Sequence, residues 1–345
     1  MPKKPDMMKL LRIIEKFKAL NVAVYGDFVL DEFIYGEISR VSREAPVLIL
    51  NYKHTLSVPG GGANSVNNIR SLDAHPIPVG IVGRDEAGSR LLNLFKNRGI
   101  ETSLVIVEKG YDTPVKTRIL AGSAHTTKQQ VVRMDRAKRG FHLPSSSKKR
   151  LGRLLLKAME RSNGLLIADY DHGAVHSSLL SDAYLSSRSI LTGREKDFIV
   201  TLDSRKKILE YQGVTAATPN EEEIENALNI KIGNDEERLR SEGVKLQMLL
   251  RAKALLVTRG SKGMSLFEDG RHIADIPVYG TDEVADVTGA GDTVISTFTL
   301  SLLAGGSSYE SAIIANYAGG IVVMKRGTAT VSRSELINAI KSDYR

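Results

Sequence analysis

"NVAVYGD", Asn21 to Asp27, is a short apolar run, rich in valine, that ends in a glycine and an acid. With apolar residues at both odd and even positions, it reads as a strand buried on both faces. The same cadence returns in "PVGIVGRD" to Asp85, "GLLIAD" to Asp169, "FIVTLD" to Asp203 and "ALLVTRG" to Gly260, each followed by a helix-like segment. This alternation predicts an α/β fold with a mostly parallel sheet flanked by helices on both faces. Ligands of such sheets sit beyond the carboxyl ends of the strands, where the pattern places Asp27, Asp169 and Asp203.

Two stretches break the pattern. Phe33 to Tyr52 and Thr113 to Asp135 are rich in β-branched residues, alternate only partly and lack a helical period. They predict a small antiparallel β sheet made by insertions at about 33–52 and 113–135, a lid over the strand ends. No Pro/Ser/Gly linker, repeat or low-complexity tract divides the chain, so residues 1–345 read as one domain with that lid.

Composition narrows the class. With 345 residues, 42% of them hydrophobic, the chain can bury a large core. It has no Cys, which excludes a disulfide framework, thiolate zinc sites and a cysteine nucleophile, and suits a reducing, cytoplasmic setting. Lys3 and Lys4 precede an apolar stretch, but Arg12, Glu15, Lys16 and Lys18 interrupt it, so the N-terminus reads as an amphipathic helix and not as an export signal or a span. A net charge of +8 suits an acidic partner: nucleic acid, a membrane surface or small phosphorylated compounds. The basic residues are dispersed apart from clusters such as Lys148 to Arg150, and Trp is absent, so solvated helix faces are expected, with no nucleic acid and no membrane as partner.

"DVTGAGDTV", Asp286 to Val294, carries the chemistry. Glycines before an apolar stretch mark a turn that opens a helix, whose Val294, Ile295, Phe298, Leu302 and Leu303 would share one buried face. The backbone N–H groups of Gly289, Ala290 and Gly291 would then point outward at a helix N-terminus, a ready anion site. No Walker-type phosphate loop and no strand-linked G-x-G-x-x-G compete with it. A carboxylate there would repel a phosphate, so Asp292 reads as a proton acceptor for an attacking hydroxyl. The plainer alternative is an acid placed favourably in the first turn of a helix.

"PGGGANSVNNIRSLDAHPIPVGIVGRDEAG" (Pro59 to Gly88) and "DVTGAGDTV" resemble the two signature regions of the PfkB/ribokinase family of ATP-dependent sugar kinases, in the family's order. "GDFVLDEFIYGEISRVSREAPV" (Gly26 to Val47) and "GTATVS" (Gly327 to Ser332) narrow the resemblance to the kinase part of the D-glycero-β-D-manno-heptose 7-phosphate kinases. It extends from about Asn21 to Ile340. The resemblance implies a ribokinase-like fold, Asp292 as general base, and Gly289, Ala290 and Gly291 as the anion hole for the transferred phosphoryl group. It implies Asp27 and Asn64 as holders of sugar hydroxyls, with Gly61 and Gly62 letting the sugar approach the backbone. Asn220 and Glu223 match an N-x-x-E motif that organises Mg2+ around the ATP phosphates, chiefly through water. Thr258, Gly260, Gly263 and Asn316 match the segments that bracket the nucleotide.

A sugar that already carries a phosphate needs fixed cations. Lys116, Arg118 and Arg133 lie in the lid strands, and Lys116 and Arg133 are the expected phosphate holders, unless they merely face solvent from a two-stranded ribbon. Glu44 is either a hydroxyl acceptor or an exposed lid acid. The chain departs from the heptose kinases in Ser42-Arg43-Glu44-Ala45-Pro46 and in Gly60 to Asn64, and has His172 where a Lys is usual and Asp203-Ser204-Arg205 for Asp-Pro-Lys. His172 and His176 stand four apart without a third ligand in view, so no zinc site is expected. A homodimer through the lid is expected, with Phe33, Ile34 and Tyr35 as its apolar surface, and any nucleotidyltransferase of the pathway would be a separate enzyme. Three activities follow: phosphorylation of the anomeric hydroxyl of heptose 7-phosphate for lipopolysaccharide or another surface glycan, the same chemistry on fructose 6-phosphate or ribose, or a non-catalytic sensor. The base and its glycine turn argue against the sensor.

Overall fold

The computed structural model describes residues 4–123, 128–137, 141–180, 198–280, 286–325 and 327–344. Its strands are β1 (Asn21–Val41), β2 (Leu48–Gly61), β3 (His75–Gly83), β4 (Val105–Glu108), β5 (Val115–Gly122), β6 (Gln129–Arg136), β7 (Gly164–Asp169), β8 (Ile199–Ser204), β9 (Ala216–Ala217), β10 (Ala254–Thr258), β11 (Met264–Glu268) and β12 (Arg271–Ile276). The main sheet runs β12-β11-β10-β9-β8-β7-β1-β3-β4, parallel from β10 to β4 and antiparallel only at the β11 and β12 edge. Each apolar run singled out in the sequence contributes a strand to it. The strand order reverses at β1, between β7 and β3, which is where such a sheet opens a crevice at its carboxyl edge.

The expected end of the first strand at Asp27 is corrected. β1 pairs with β3 as far as Asp27 and with β7 as far as Gly26, then continues, pairing with β2 from Phe28 and with β5 from Leu30. The strand therefore belongs to two sheets. The smaller one runs β6-β5-β1-β2 and draws on residues 28–41, 48–61, 115–122 and 129–136; the β1–β5 pairing is parallel, so this sheet is mixed where a purely antiparallel one was expected. Residues 124–127 of the second expected insertion lie outside the described residues.

Alternation along β1 splits the core. Val22, Val24 and Phe28 pack on one face with the helices Met7–Glu15, Gly62–Ser71, Glu86–Asn97, Ser308–Val323 and Arg333–Asp343. Ala23 and Tyr25 pack on the other with Ser145–Glu160, Glu221–Leu228 and Glu236–Leu250. The N-terminal helix is amphipathic as read: Leu10, Ile13 and Ile14 are buried, and the Asp6 side chain caps its start.

The helix after "DVTG", Ala290–Leu303, is enclosed on all sides from Asp292 to Ser301, where a single buried face was expected. Ile295 and Leu300 join one core, Val294 and Phe298 another, and Leu302 and Leu303 are only half-buried. Phe33, expected at a dimer surface, is also buried, with the Arg118 guanidinium 5.2 Å from its ring centroid. Among the described residues no helix is long and apolar enough to cross a membrane.

Phe28 sits where β1 passes from one sheet to the other, edge-on to Phe95 at 5.7 Å and fully buried. Phe28→Ala is expected to cost about 3–5 kcal/mol of stability, read as a lower urea midpoint; an unchanged midpoint would show that this corner does not anchor the fold.

Candidate active site

The site forms where the carboxyl ends of β1, β7, β8 and β10 meet the start of the helix Ala290–Leu303. Gly289 is the N-cap, with φ 79°, a left-handed conformation that suits glycine. A Cβ on it would come within 2.6 Å of Asn64 Nδ2. That close approach lets Asn64 reach Asp292.

Asp292 is 5% exposed. Its Oδ2 accepts from Asn64 Nδ2 at 2.8 Å, and its Oδ1 accepts from the Tyr170 hydroxyl. Asn64 is held in turn: Asn68 Nδ2 donates to Asn64 Oδ1 at 3.2 Å, and Thr293 Oγ1 donates to Asn68 Oδ1 at 2.9 Å. Burial pushes the Asp292 carboxyl up to about 7, against the two hydrogen bonds, and Asp203 adds to the rise. This is an acid poised as a base near neutrality.

Of the three N–H groups expected in the anion hole, that of Ala290 is already spent on the Val287 carbonyl at 3.2 Å. Intrahelical bonding starts at Thr293, whose N–H reaches the Gly289 carbonyl at 3.1 Å. Among the described residues the N–H groups of Gly291 and Asp292 have no acceptor, so these two are the donors left for an anion.

Asp27 is corrected from a sugar ligand to an internal tie. It is fully buried, and its oxygens accept from the backbone N–H groups of Tyr170 at 2.9 Å, His172 at 3.0 Å and Ala174 at 3.0 Å. Burial and then Asp169 push it up to about 7. Asp31, four residues on along the same strand face, lines the cleft instead. Its Oδ1 accepts from Arg118 at 3.0 Å and its Oδ2 from Thr328 at 2.9 Å. Gly60 makes room for it, since a Cβ there would lie 2.6 Å from the carboxyl carbon. Sequence reading missed Asp31 because it ended the strand at Asp27.

Other expected sugar contacts sort differently. Gly61 lines the cleft, but Gly62 packs against the β1 backbone at Gly26 and Asp27, and Asn64 has both ends of its amide committed to protein partners. Glu44 is exposed in the connection between β1 and β2, its N–H bonded to Ser42 Oγ, and is absent from the cleft lining. Lys116 and Arg133 do face the cleft, along with Arg118 and Arg205. Burial, and then Arg205, lower the Lys116 ammonium, while Arg133 makes a bidentate pair with Asp135 at 2.8 and 2.6 Å.

The cleft, about 440 Å3, also takes in Asp203, Thr218, Asn220 and Glu223. Asn220 and Glu223 cap the helix Glu221–Leu228 reciprocally, at 2.8 and 2.9 Å, which leaves the second Glu223 oxygen uncommitted to that box. Burial raises Glu223, and burial with Glu223 nearby pushes Asp203 up to about 7. Asp203 and Glu223 thus bring two carboxyl groups to one side of the cleft, oxygen donors of the kind that suits a hard cation carrying its own waters. No group of three or more such side chains that could hold a metal occurs among the described residues. His172 and His176 each bury an unpartnered Nε2, and burial, followed by Lys116 and Arg205, pushes His172 down to about 4, leaving it neutral.

Beside the cleft lies an apolar slot of about 190 Å3, walled by Met264, Val278, Val294 and Val323. Thr258, Gly260, Gly263 and Asn316 line it too, and Asn316 Nδ2 donates to the Pro277 carbonyl at 2.8 Å. Ala290 and Gly291 line this slot, and Gly291 the cleft as well, so a flat apolar group here would place attached phosphates at the helix N-terminus.

Residues 20–335 match the pfkB family of carbohydrate kinases, and the chain belongs to that family. It is 35% identical over 323 residues to the bifunctional protein HldE of Geobacter sulfurreducens, covering 93% of this chain and 63% of that one. It is 36% identical over 344 residues to the bifunctional protein HldE of Mesorhizobium japonicum, covering 97% and 65%. The chain thus spans just under two thirds of these relatives. Among solved structures, phosphofructokinase-2 from Escherichia coli in complex with fructose-6-phosphate superposes with a TM-score of 0.70 at 16% identity, covering 94% of this chain and 99% of that one. Arabidopsis thaliana ribokinase complexed with ribose and ATP superposes with a TM-score of 0.68 at 18% identity, covering 93% and 99%. At those identities the superpositions establish the ribokinase-like fold.

The reassignment of Asp27 has a direct check. Asp27→Ala strands three buried N–H donors and is expected to cost about 3 kcal/mol or more in urea unfolding, with the sugar KM of the folded fraction little changed. A normal midpoint with a raised KM would return Asp27 to the sugar.

Proposed function

We propose that this chain transfers the γ-phosphoryl group of ATP to the anomeric hydroxyl of D-glycero-D-manno-heptose 7-phosphate, giving the 1,7-bisphosphate. The observation that carries this reading is one buried carboxyl raised to near neutrality, Asp292, beside two unclaimed helix N–H groups in a cleft that Lys116, Arg133 and Arg205 also line. The base and N–H groups support phosphoryl transfer, the cations support a substrate that already carries a phosphate, and the motifs shared with heptose kinases support the sugar.

Asp292 takes the proton of the attacking hydroxyl, and the Gly291 and Asp292 N–H groups hold the phosphoryl oxygens. Asp31, fixed by Arg118 and Thr328, accepts from a sugar hydroxyl. Thr258, Gly260, Gly263 and Asn316 hold the nucleotide. Asn220 and Glu223, with Asp203, hold Mg2+ through water; when bound, it offsets the charge that the phosphates gather in the transition state. The β6-β5-β1-β2 sheet acts as the lid that keeps water out. Exposed Leu48, Tyr52, Val132 and Met134 on it support a homodimer through the lid. The product carries a new anomeric phosphate, the group that nucleotidyl transfer uses, which supports a role in nucleotide-heptose synthesis, expected in the cytoplasm.

ADP release with MgATP tests the reading across heptose 7-phosphate, fructose 6-phosphate, ribose and no sugar. Heptose 7-phosphate is expected to give the highest kcat/KM; a better turnover of another sugar would refute the substrate and leave the chemistry. Asp292→Asn is expected to lower kcat by about 10²-fold to 10⁴-fold with little change in ATP affinity, and an unaffected kcat would remove the base. Because the base works ionised and its carboxyl is raised to about 7, kcat/KM is expected to climb with pH through about 7 and fall below it. Lys116→Ala and Arg133→Ala are each expected to raise the sugar KM roughly 10-fold to 100-fold through a lost charge-assisted contact, and equal KM for ribose and heptose 7-phosphate in the parent would contradict that assignment.

A further inference from the structure

Both oxygens of the base are occupied before any substrate arrives, and the two partners differ in kind. Asn64 is fully buried and its amide is locked by Asn68, so Oδ2 is permanently engaged. Tyr170, the donor to Oδ1, is half-buried and lines the cleft. Oδ1 is therefore the oxygen that a sugar hydroxyl has to win, and Tyr170 stands in its place.

We propose that Tyr170 is a surrogate for the acceptor: in the sugar-free enzyme its hydroxyl sits on Asp292 where the reacting sugar hydroxyl will sit, and the sugar displaces it. This rests on the kinase reading above. Three features make the displacement feasible. The Tyr170 N–H is pinned to Asp27 Oδ2 at 2.9 Å, so only the side chain has to move. Asp203 Oδ2 stands 3.3 Å from the hydroxyl, a second acceptor that keeps the phenol bonded when it leaves Asp292. The ring is also flanked by Lys116 Nζ at 5.3 Å and the Arg205 guanidinium at 6.0 Å from its centroid. A substrate phosphate that draws these cations away weakens their hold on the ring, so phosphate binding and release of the base are coupled. Until then Asp292 is closed to water and ATP is not hydrolysed wastefully.

Tyr170→Phe tests this. The groups that face Asp292 are Tyr170, Asn64, Asp203, Asp31 and Lys116, and the hydrogen bonds from Tyr170 and Asn64 both hold the carboxyl lower, that of Tyr170 the more. Its loss moves the base upward, so hydrolysis is compared at about pH 8.5, where Asp292 is ionised in both proteins. Sugar-free ATP hydrolysis is expected to rise about tenfold or more over the parent, the effect of freeing a charged acceptor from one hydrogen bond. The acid limb of kcat/KM, which reports the free enzyme, is expected to shift upward, while that of kcat, which reports the sugar complex, stays put. Unchanged hydrolysis, or both limbs shifting together, would overturn the proposal by showing that Tyr170 stays on the base through turnover.

A second readout does not depend on how that variant folds. With 3-fluorotyrosine placed at position 170 alone, the fluorine resonance is expected to move when heptose 7-phosphate is added without ATP, and a resonance that stays fixed would also overturn the idea. If the parent prefers another sugar in the panel, that sugar replaces heptose 7-phosphate here. The sugar-free arm needs none, so failure of the substrate assignment and failure of the Tyr170 proposal remain distinct.

Discussion

The carboxylate of Asp27 ties this molecule together. β1 leaves the main sheet at that residue to enter the smaller one, and the same side chain gathers the N–H groups of Tyr170, His172 and Ala174 from the segment that follows β7. One buried acid thus fixes the point where two sheets diverge and the loop that faces the base. Four residues further, the same strand delivers Asp31 into the cleft, clamped by Arg118 from β5 and Thr328 from the C-terminal segment. The place of Asp31 in the cleft and the setting of Tyr170 both follow from how β1 is anchored.

This arrangement concentrates acids at the strand ends. Asp27, Asp169 and Asp292 are nearly or fully removed from water and Asp203 is half-buried beside them, a costly grouping of acids. Protein donors offset it. Asp169 accepts from the Tyr211 hydroxyl at 2.7 Å and from the Asp171 N–H at 3.0 Å, Asp27 takes three N–H groups, and Asp292 takes Asn64 and Tyr170. What burial leaves over is a carboxyl, Asp292, whose affinity for a proton is set near neutral pH, in a cleft also lined by Lys116, Arg118, Arg133 and Arg205. The burial that makes the grouping costly is also the largest cause of the rise at Asp292.

Much of this was legible in the chain. The runs ending at Asp27, Asp169 and Asp203 are buried strands because they are apolar on both parities, and the turn at Gly289 announces a helix N-terminus by its composition alone. The placement of Lys116 and Arg133 in the cleft follows from their position in β-rich segments. Other features carry no local signal. β9 is two alanines long, too short for any periodicity. That β1 runs unbroken from Asn21 into the β segment expected from Phe33 is hidden by Asp31 and Glu32, charges whose ion-pair partners only the fold brings near. The contact between Tyr170 and Asp292 joins positions 122 residues apart, and the one between Arg118 and Asp31 positions 87 apart, so only the fold brings them together. Asp27 itself shows the limit of position as a guide: an acid at a strand end can face the ligand or turn inward, and the count of nearby N–H donors decides which.

The position of the new phosphate on the product bears most directly on the central claim, that a hydroxyl bound at Asp292 attacks ATP beside the helix N-terminus. Phosphorus NMR of the reaction with heptose 7-phosphate and MgATP reads it. The account predicts one new phosphomonoester resonance coupled to the anomeric proton, with the original 7-phosphate resonance retained. A new resonance coupled to any other position, or free phosphate as the only product, would contradict it.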